Sequence, residues 1–446
     1  MILHTTDPAA SATYEPAPRP WRFLIALSGF LAELFSACAW LGMFGWALGE
    51  VVSDRYAWSQ WLEWIPTIFT LIGALVCLAA ASGAAALRSG LQSATITGST
   101  DSLLQSLGSI AKPTSSEQLA ENVGNTTLKQ RPRRLRFFRR ARWLAWSIVL
   151  VYFVISETPF YKPTPEPPAF NQDSFRLVYW NSGGEEQPGW DRAIGALNPD
   201  ILILNGLHSS AGTPGLQALL DSNASVIVNE RFVVISKRPI VRWGATTLAL
   251  PKGEGLDPRQ TGGHRPWIDR GRALFFQFLC PTTDLNGLAS PPPTLRTAWI
   301  IDLPSDLSLS RAQVTARANE IITNFPSKAY IKDSRGAWIP EEIRTAMLGF
   351  PRPDIITGDF NIPRGSWSLD RLVAHLDSQS GAHTSSRSLN AYHQAARRFS
   401  ATWPRPRPFL HLDQTFLAPA LRAWSYNLKD PGSAEHLAQA VDITVR

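Results

Sequence analysis

Asp359 and Asn361 stand two residues apart in PDIITGDFNIP, residues 353–363, and this pair could do chemistry. A carboxylate and a carboxamide at that spacing can hold a hard cation and a phosphate oxygen together. Asp354 to Thr357 read as a short buried strand, and Gly358 then releases the backbone into a turn. The pair therefore falls just past a strand end, where open α/β sheets place their working residues. Asp and Asn are also turn formers that bond their own backbone, so the short motif by itself leaves that reading open.

At 446 residues the chain exceeds one ordinary domain. A formal net charge of +7 would suggest nucleic acid or an anionic membrane if it clustered on a folded surface, but much of it sits in the N-terminal third. Cys38 and Cys77 lie in apolar runs and leave Cys280 alone, so no disulfide framework or cysteine metal site can be built. Several of the 17 Trp stand at the ends of the apolar runs, where interfacial aromatics collect.

The elements that must position the pair begin with a Pro- and Ala-rich tail, residues 1–22. Residues 23–48 are almost wholly apolar, which exceeds the about 20 residues that span a bilayer. Residues 64–87 read as a second span and residues 143–157 as a shorter third. A cleavable signal peptide would have a shorter apolar core, and buried core helices are the competing reading. Glu33, inside the first span, is expected to face the helix bundle or pair with a neighbour.

Glu50, Asp54, Arg55 and Glu63 give the loop 49–63 a mildly acidic balance. The loop 88–142 ends in RPRRLRFFRRAR, 131–142, and such a block beside a span belongs on the cytoplasmic side. The chain is thus expected to be integral to the membrane (the inner one in a bacterium), with the lipid bilayer as partner. Its N-terminus would be cytoplasmic and its C-terminal part extracytoplasmic. The same Arg run could also meet nucleic acid or anionic lipid headgroups.

A Pro-rich tether, 158–174, leads to residues 175–446, where short β runs alternate with helical patterns. Strands are expected at 175–180, 201–205, 225–228, 232–236, 273–279, 297–302, 354–357 and 412–417. Helices are expected at 191–197, 311–323, 341–348 and 369–376. Strands outnumber helices, which suggests an α/β sandwich of mixed sheets with outer helices.

Here the order of motifs resembles the endonuclease/exonuclease/phosphatase superfamily, the deoxyribonuclease-I-like fold, over residues 175–446. LVYWNSGG resembles the family's opening strand, ending in Asn181. PDILILNGLH resembles the strand that closes with Gln-Glu, and TAWIIDLPSD the one that closes with His-Leu. PDIITGDFN is the most recognisable signature. LHLDQTF resembles the strand with a late Asp, here Asp413, and GSAEH the terminal Ser-Asp-His, placing Glu435 and His436.

That resemblance implies a four-layer, two-sheet α/β sandwich behind the membrane region. It also implies metal-dependent hydrolysis of a phosphate ester with Mg2+ or Mn2+. Asp359 would orient the nucleophile, Asn361 and Asn181 would contact phosphate, and Asp359, Asp413 and Asn181 would surround the metal. His436 would be the general base, supported by Glu435.

Two positions depart from the pattern. Gly206 replaces the metal-binding Glu, and Asp302 replaces the first catalytic His, adding negative charge where phosphate should sit. Glu185, Glu186 and His208 lie near the vacated positions in sequence. Two readings follow: a membrane-anchored phosphoesterase acting on nucleic acid, a nucleotide or a lipid headgroup, or a non-catalytic member serving as a binding or scaffold module. Arg364, Arg405 and Arg407 are the positive residues nearest the motifs, and His411 alternates with Asp413 and could share its face.

Overall fold

The computed structural model describes residues 19–65, 67–97, 144, 146–148, 150–152, 173–184, 189–207, 225–229, 231–248, 271–280, 293–306, 309–324, 331–333, 349–376, 386–398, 400–432 and 434–445. The chain divides into two compact units, Met1–Gly45 with Thr67–Leu150, and Trp46–Pro66 with Val151–Arg446.

The first unit is built on two long helices, α1 (Arg19–Val52) and α3 (Thr67–Thr97). Both are long and apolar enough to cross a membrane. Phe23, Phe30, Leu41, Phe44, Ile72 and Val76 are exposed, whereas small residues such as Ser28, Ala39, Ala74 and Ala81 are buried. That distribution is the one expected of helices that pack through small side chains and turn large apolar ones outward. The expected third span lies mostly outside the described residues, so two such helices, not three, stand among those described. Glu33, expected to face the helix bundle or pair with a neighbour, is exposed among the described residues, which leave out most of the third expected span. The Arg131–Arg142 run lies outside the described residues.

The second unit takes in the end of α1 from Trp46 and the loop between those helices, Ser53 to Ile65, which carries the short helix α2 (Gln60–Glu63). Among the described residues twelve strands follow: β1 (Ser174–Asn181), β2 (Ile201–Asn205), β3 (Ser225–Asn229), β4 (Phe232–Ser236), β5 (Ile240–Thr247), β6 (Arg272–Cys280), β7 (Thr294–Asp302), β8 (Ile331–Asp333), β9 (Ile355–Asp359), β10 (Asp413–Leu417), β11 (Leu421–Lys429) and β12 (Ala438–Val445). They form two mixed six-stranded sheets, ordered β11-β12-β1-β2-β4-β3 and β10-β9-β7-β6-β5-β8.

Side-chain alternation sorts the strands into layers. Phe175, Leu177 and Tyr179 of β1 pack with Ile201 and Ile203 of β2 against Leu274, Phe276, Ala298, Ile300 and Ile355 of the other sheet. The opposite faces are covered as well: Val178, Trp180, Leu202 and Leu204 by Trp190 and Ile194, and Phe275, Trp299, Ile301 and Ile356 by the helices Arg311–Thr323 and Trp367–Val373. Burial on both faces is why these strands read as nearly continuous apolar runs. The unit is therefore the four-layer, two-sheet α/β sandwich the sequence led us to expect. The expected helix 341–348 lies outside the described residues.

Candidate active site

The inner-face parity of five strands carries five polar residues to one mouth of the sandwich. Asn181 continues the series 175, 177, 179 on β1, and Asn205 continues 201, 203 on β2. Asp302 continues 298, 300 on β7, Asp359 follows Ile355 and Thr357 on β9, and Asp413 precedes Thr415 and Leu417 on β10. Strand register then sets them side by side. Asn181 pairs with Asn205 across β1 and β2, while Asp359 pairs with Asp302 on one flank and Asp413 on the other. Partners directly opposite share a face, so two amides of one sheet meet three carboxylates of the other.

Gly358 permits this row. It has φ +155°, and a Cβ there would lie 1.8 Å from the Ile301 carbonyl oxygen, so the close approach of β9 to β7 needs glycine. Beyond the strand the backbone folds over Asp359: Asn361 sits at φ 48°, a left-handed conformation that Asn tolerates. Its N–H donates to Asp359 Oδ1 at 2.9 Å, and its side-chain amide donates to the Leu303 carbonyl at 2.8 Å.

His436 is buried and held from both sides. Its Nδ1 lies 2.8 Å from Asp413 Oδ2, and its Nε2 lies 3.8 Å from Asp359 Oδ2. Burial alone would lower the imidazole, but the Asp413 carboxylate, with help from Asp359 and Glu435, lifts its pKa to about 9. Burial and the neighbouring Asp413 raise Asp359 to about 6, against the opposing pull of His436 and two hydrogen bonds. The three carboxylates also converge on Tyr179, whose phenol is pushed well above its usual range by burial and then by Asp413, Asp359 and Asp302.

Of the expected site residues, the structure brings Asn181, Asp302, Asp359, Asn361, Glu435 and His436 to one cleft of about 320 Å³, with Asp413 directly behind His436. Two expected roles change. Glu435 does not hold the imidazole: it is exposed and accepts from the Trp403 indole at 3.1 Å, because adjacent residues of this turn point apart. Asp413 takes that place. Asn181 gives its NH2 to Asp359 at 2.9 Å, and its oxygen accepts from Gly183 N–H at 3.0 Å, so here it steadies the carboxylate.

Gly206 is not a vacated socket. It has φ +83°, and a Cβ would lie 2.8 Å from Gly183 N and 3.0 Å from Asn181 Oδ1. His411 stays out of the cleft, packed between Tyr392 and Tyr426 with burial pushing its pKa well below the usual range. Arg364 lies over the Tyr392 ring at 3.9 Å, and Arg405 is bonded to the Ala434 carbonyl, so neither lines the cleft. Glu185, Glu186 and His208 lie outside the described residues.

Sequence reasoning missed Trp64, Asn205, Arg231, Ser305 and Trp403, which also line the cleft. Asn205 had a signal: it ends an apolar strand at the same parity as Asn181. Arg231 is set by the β3–β4 hairpin, whose Phe232 pairs with Asn205, and no local pattern announces that.

The donor set suits a hard divalent cation. Asp359, Asp413 and His436 place ligand atoms within 4.8 Å of one another. Asp413 Oδ1 and Asn205 Oδ1 are buried and accept no hydrogen bond from the described residues. Oxygen donors of this kind are what Mg2+ and Mn2+ take, and a row of three carboxylates is costly to bury with one imidazole beside it.

No protein-family model and no curated protein sequence matches the chain. Among solved structures, it is similar to an endonuclease/exonuclease/phosphatase from Beutenbergia cavernae DSM 12333, at 16% identity and TM-score 0.33, covering 61% of this chain and 72% of that one. It is also similar to a functionally unknown conserved protein from Enterococcus faecalis V583, at 12% identity and TM-score 0.37, covering 61% and 100%. A third likeness is to truncated Caenorhabditis elegans TDP2, at 12% identity and TM-score 0.35, covering 61% and 98%. Likenesses at this level fix neither activity nor substrate.

Proposed function

We propose that this chain is a membrane-anchored, divalent-cation-dependent phosphoesterase of the endonuclease/exonuclease/phosphatase type. The observation that carries the reading is the chain Asp413–His436–Asp359, in which one carboxylate fixes Nδ1 of the imidazole and leaves Nε2 facing the cleft. Once the charge of a bound cation holds it neutral, a histidine placed this way can take a proton from water, while the buried carboxylate stabilises the imidazolium that results. Asp359, with Asp413 and the amide oxygen of Asn205, would hold the cation. When bound, that cation supplies Lewis-acid stabilisation of the charge on the phosphate oxygens. Arg231 and the protonated His436 are the cleft's own positive groups, set against Asp302, Asp359 and Glu435. The acidic excess is why phosphate binding should need the cation.

In this reading the two long apolar helices and the shorter apolar segment 143–157 span the membrane, with the N-terminus in the cytoplasm and the sandwich outside it. The basic run 131–142 supports that orientation.

The test is hydrolysis of a soluble nitrophenyl phosphodiester by the full-length chain with Mg2+ or Mn2+. Activity that chelation removes and that Asp359→Asn and His436→Asn each abolish supports the reading. A second reading, a non-catalytic binding module, is favoured by Gly206, whose backbone leaves no room for an acidic side chain. It gains if folded wild-type protein binds the cation and turns over no phosphate ester.

A further inference from the structure

The loop between the two apolar helices is built into the catalytic unit. Asp54 is fully buried, and its carboxylate accepts from Ser368 N–H at 3.0 Å and from the Ser368 hydroxyl. Ser53 Oγ accepts from Trp367 N–H at 3.0 Å, and Gln60 Oε1 accepts from Arg311 N–H at 3.0 Å. These are the first N–H groups of the helices Trp367–Val373 and Arg311–Thr323, whose own N-cap residues, Ser366 and Ser310, make no capping bond. The loop therefore caps both helices from more than two hundred residues away in sequence.

Both capped helices anchor the site. The segment Asp359–Ser366 runs directly from the catalytic strand into one of them. Arg311, fully buried at the start of the other, donates to the carbonyls of Pro304, Asp306 and Leu309 and reaches that of Asn361. Fixed in this way, the loop delivers Trp64 to the wall of the cleft, in company with Trp403. The rest of the loop presents exposed Tyr56, Trp58, Trp61 and Ile65. The loop follows α1, which ends at Val52, and precedes α3, which begins at Thr67, so in the membrane-spanning reading its aromatics are the kind that collect at a bilayer surface.

We propose that Trp64 is a substrate-contacting residue and that the substrate is a phosphate ester carried on a membrane lipid. This rests on the phosphoesterase reading above. The carboxylate row and His436 act on the phosphate, while the Trp64 indole packs on the apolar stem beside it. A wall supplied by the segment between two membrane helices sits at the depth where a lipid headgroup joins its acyl chains.

The test uses full-length protein in phosphatidylcholine nanodiscs, with Mn2+ present and empty nanodiscs as blank. Calorimetric binding is compared for water-soluble short-chain phosphatidylglycerol and for glycerophosphoglycerol, the same phosphodiester without acyl chains. The acylated probe is expected to bind about tenfold tighter or better, a difference of about 1.4 kcal/mol. Trp64→Ala should erase that preference by weakening the acylated probe far more than the deacylated one, and Trp64→Phe should restore most of it. Equal binding of the two probes by wild type, or a preference that survives Trp64→Ala, overturns the lipid inference and leaves the phosphoesterase reading standing. Failure of folded, cation-loaded protein to bind either probe overturns both.

Discussion

His436 Nδ1 and Asp413 Oδ2 lie 2.8 Å apart, and the Asp413 carboxylate is completely buried. The pair joins the β12 approach to the first residue of β10 and orients the imidazole so that Nε2 faces the cleft. Asp413→Asn keeps the shape of the site but replaces an acceptor by a group that can present N–H to the ring. The expected result is a loss of about 100-fold to 10,000-fold in turnover, as for other histidines deprived of their orienting carboxylate. The His436 pKa, followed by NMR in the cation-free protein, should fall from about 9 towards its ordinary value.

The pH dependence of stability follows from the same group. In the cation-free protein both shifts are upward, His436 from 6.5 to about 9 and Asp359 from 3.8 to about 6. A group with a raised folded pKa contributes stability below its unfolded pKa and loses it as pH rises through the folded one. The chelated protein should therefore lose thermal stability as pH climbs from about 4 to about 6 and again from about 6.5 to about 9. Saturating Mn2+ should flatten the first of these slopes, since it stabilises the ionised carboxylates; thermal melts with and without chelator read both.

Gly206→Glu would restore in sequence the carboxylate that the resemblance calls for, yet the structure argues that it fails. The left-handed backbone and a Cβ 2.8 Å from Gly183 N leave no room for it. A destabilisation of about 2 kcal/mol or more is expected, with no gain in cation affinity. Urea unfolding and a Mn2+ titration of the variant check the two parts.

Asp54→Ala removes the cap from Ser368 N–H and leaves that donor buried. A loss of about 1–3 kcal/mol is expected, with faster hydrogen exchange at Trp367 and Ser368. Asp54→Asn, which keeps an acceptor oxygen, should recover part of it. By the same reasoning, residues 170–446 expressed alone should show weaker protection at the starts of both capped helices than the full chain.

Much of the sandwich was legible in the sequence because its central strands are buried on both faces. ILILN and FVVIS read as uninterrupted apolar runs and fold as β2 and β4 with those bounds. β5, β8, β11 and β12 escaped notice. IVRWGATT carries a polar and a glycine residue on a half-exposed strand with an irregular register, and LRAWSYNLK is irregular near Trp424. For the site, the place just past a strand end marked Asp359 and Asn361, and the family resemblance marked Asn181 and Asp302, whereas the partner of His436 was misassigned to the neighbouring Glu435. Nearness in sequence was the wrong guide, since neighbours in a turn diverge while Asp413 arrives by strand register. The Asp54 and Gln60 caps had no local signal, because each half of the contact is an ordinary polar residue in a loop.

The central claim is that three in-register aspartates and one histidine form a cation-loaded phosphate-ester site, and a calorimetric titration of the full-length chain with Mn2+ tests it most directly. Saturable binding in the micromolar to millimolar range, abolished by Asp359→Asn in protein that melts normally, is the expected result. Folded wild-type protein that takes up no cation, or an Asp359→Asn variant that binds as tightly as wild type, would contradict it.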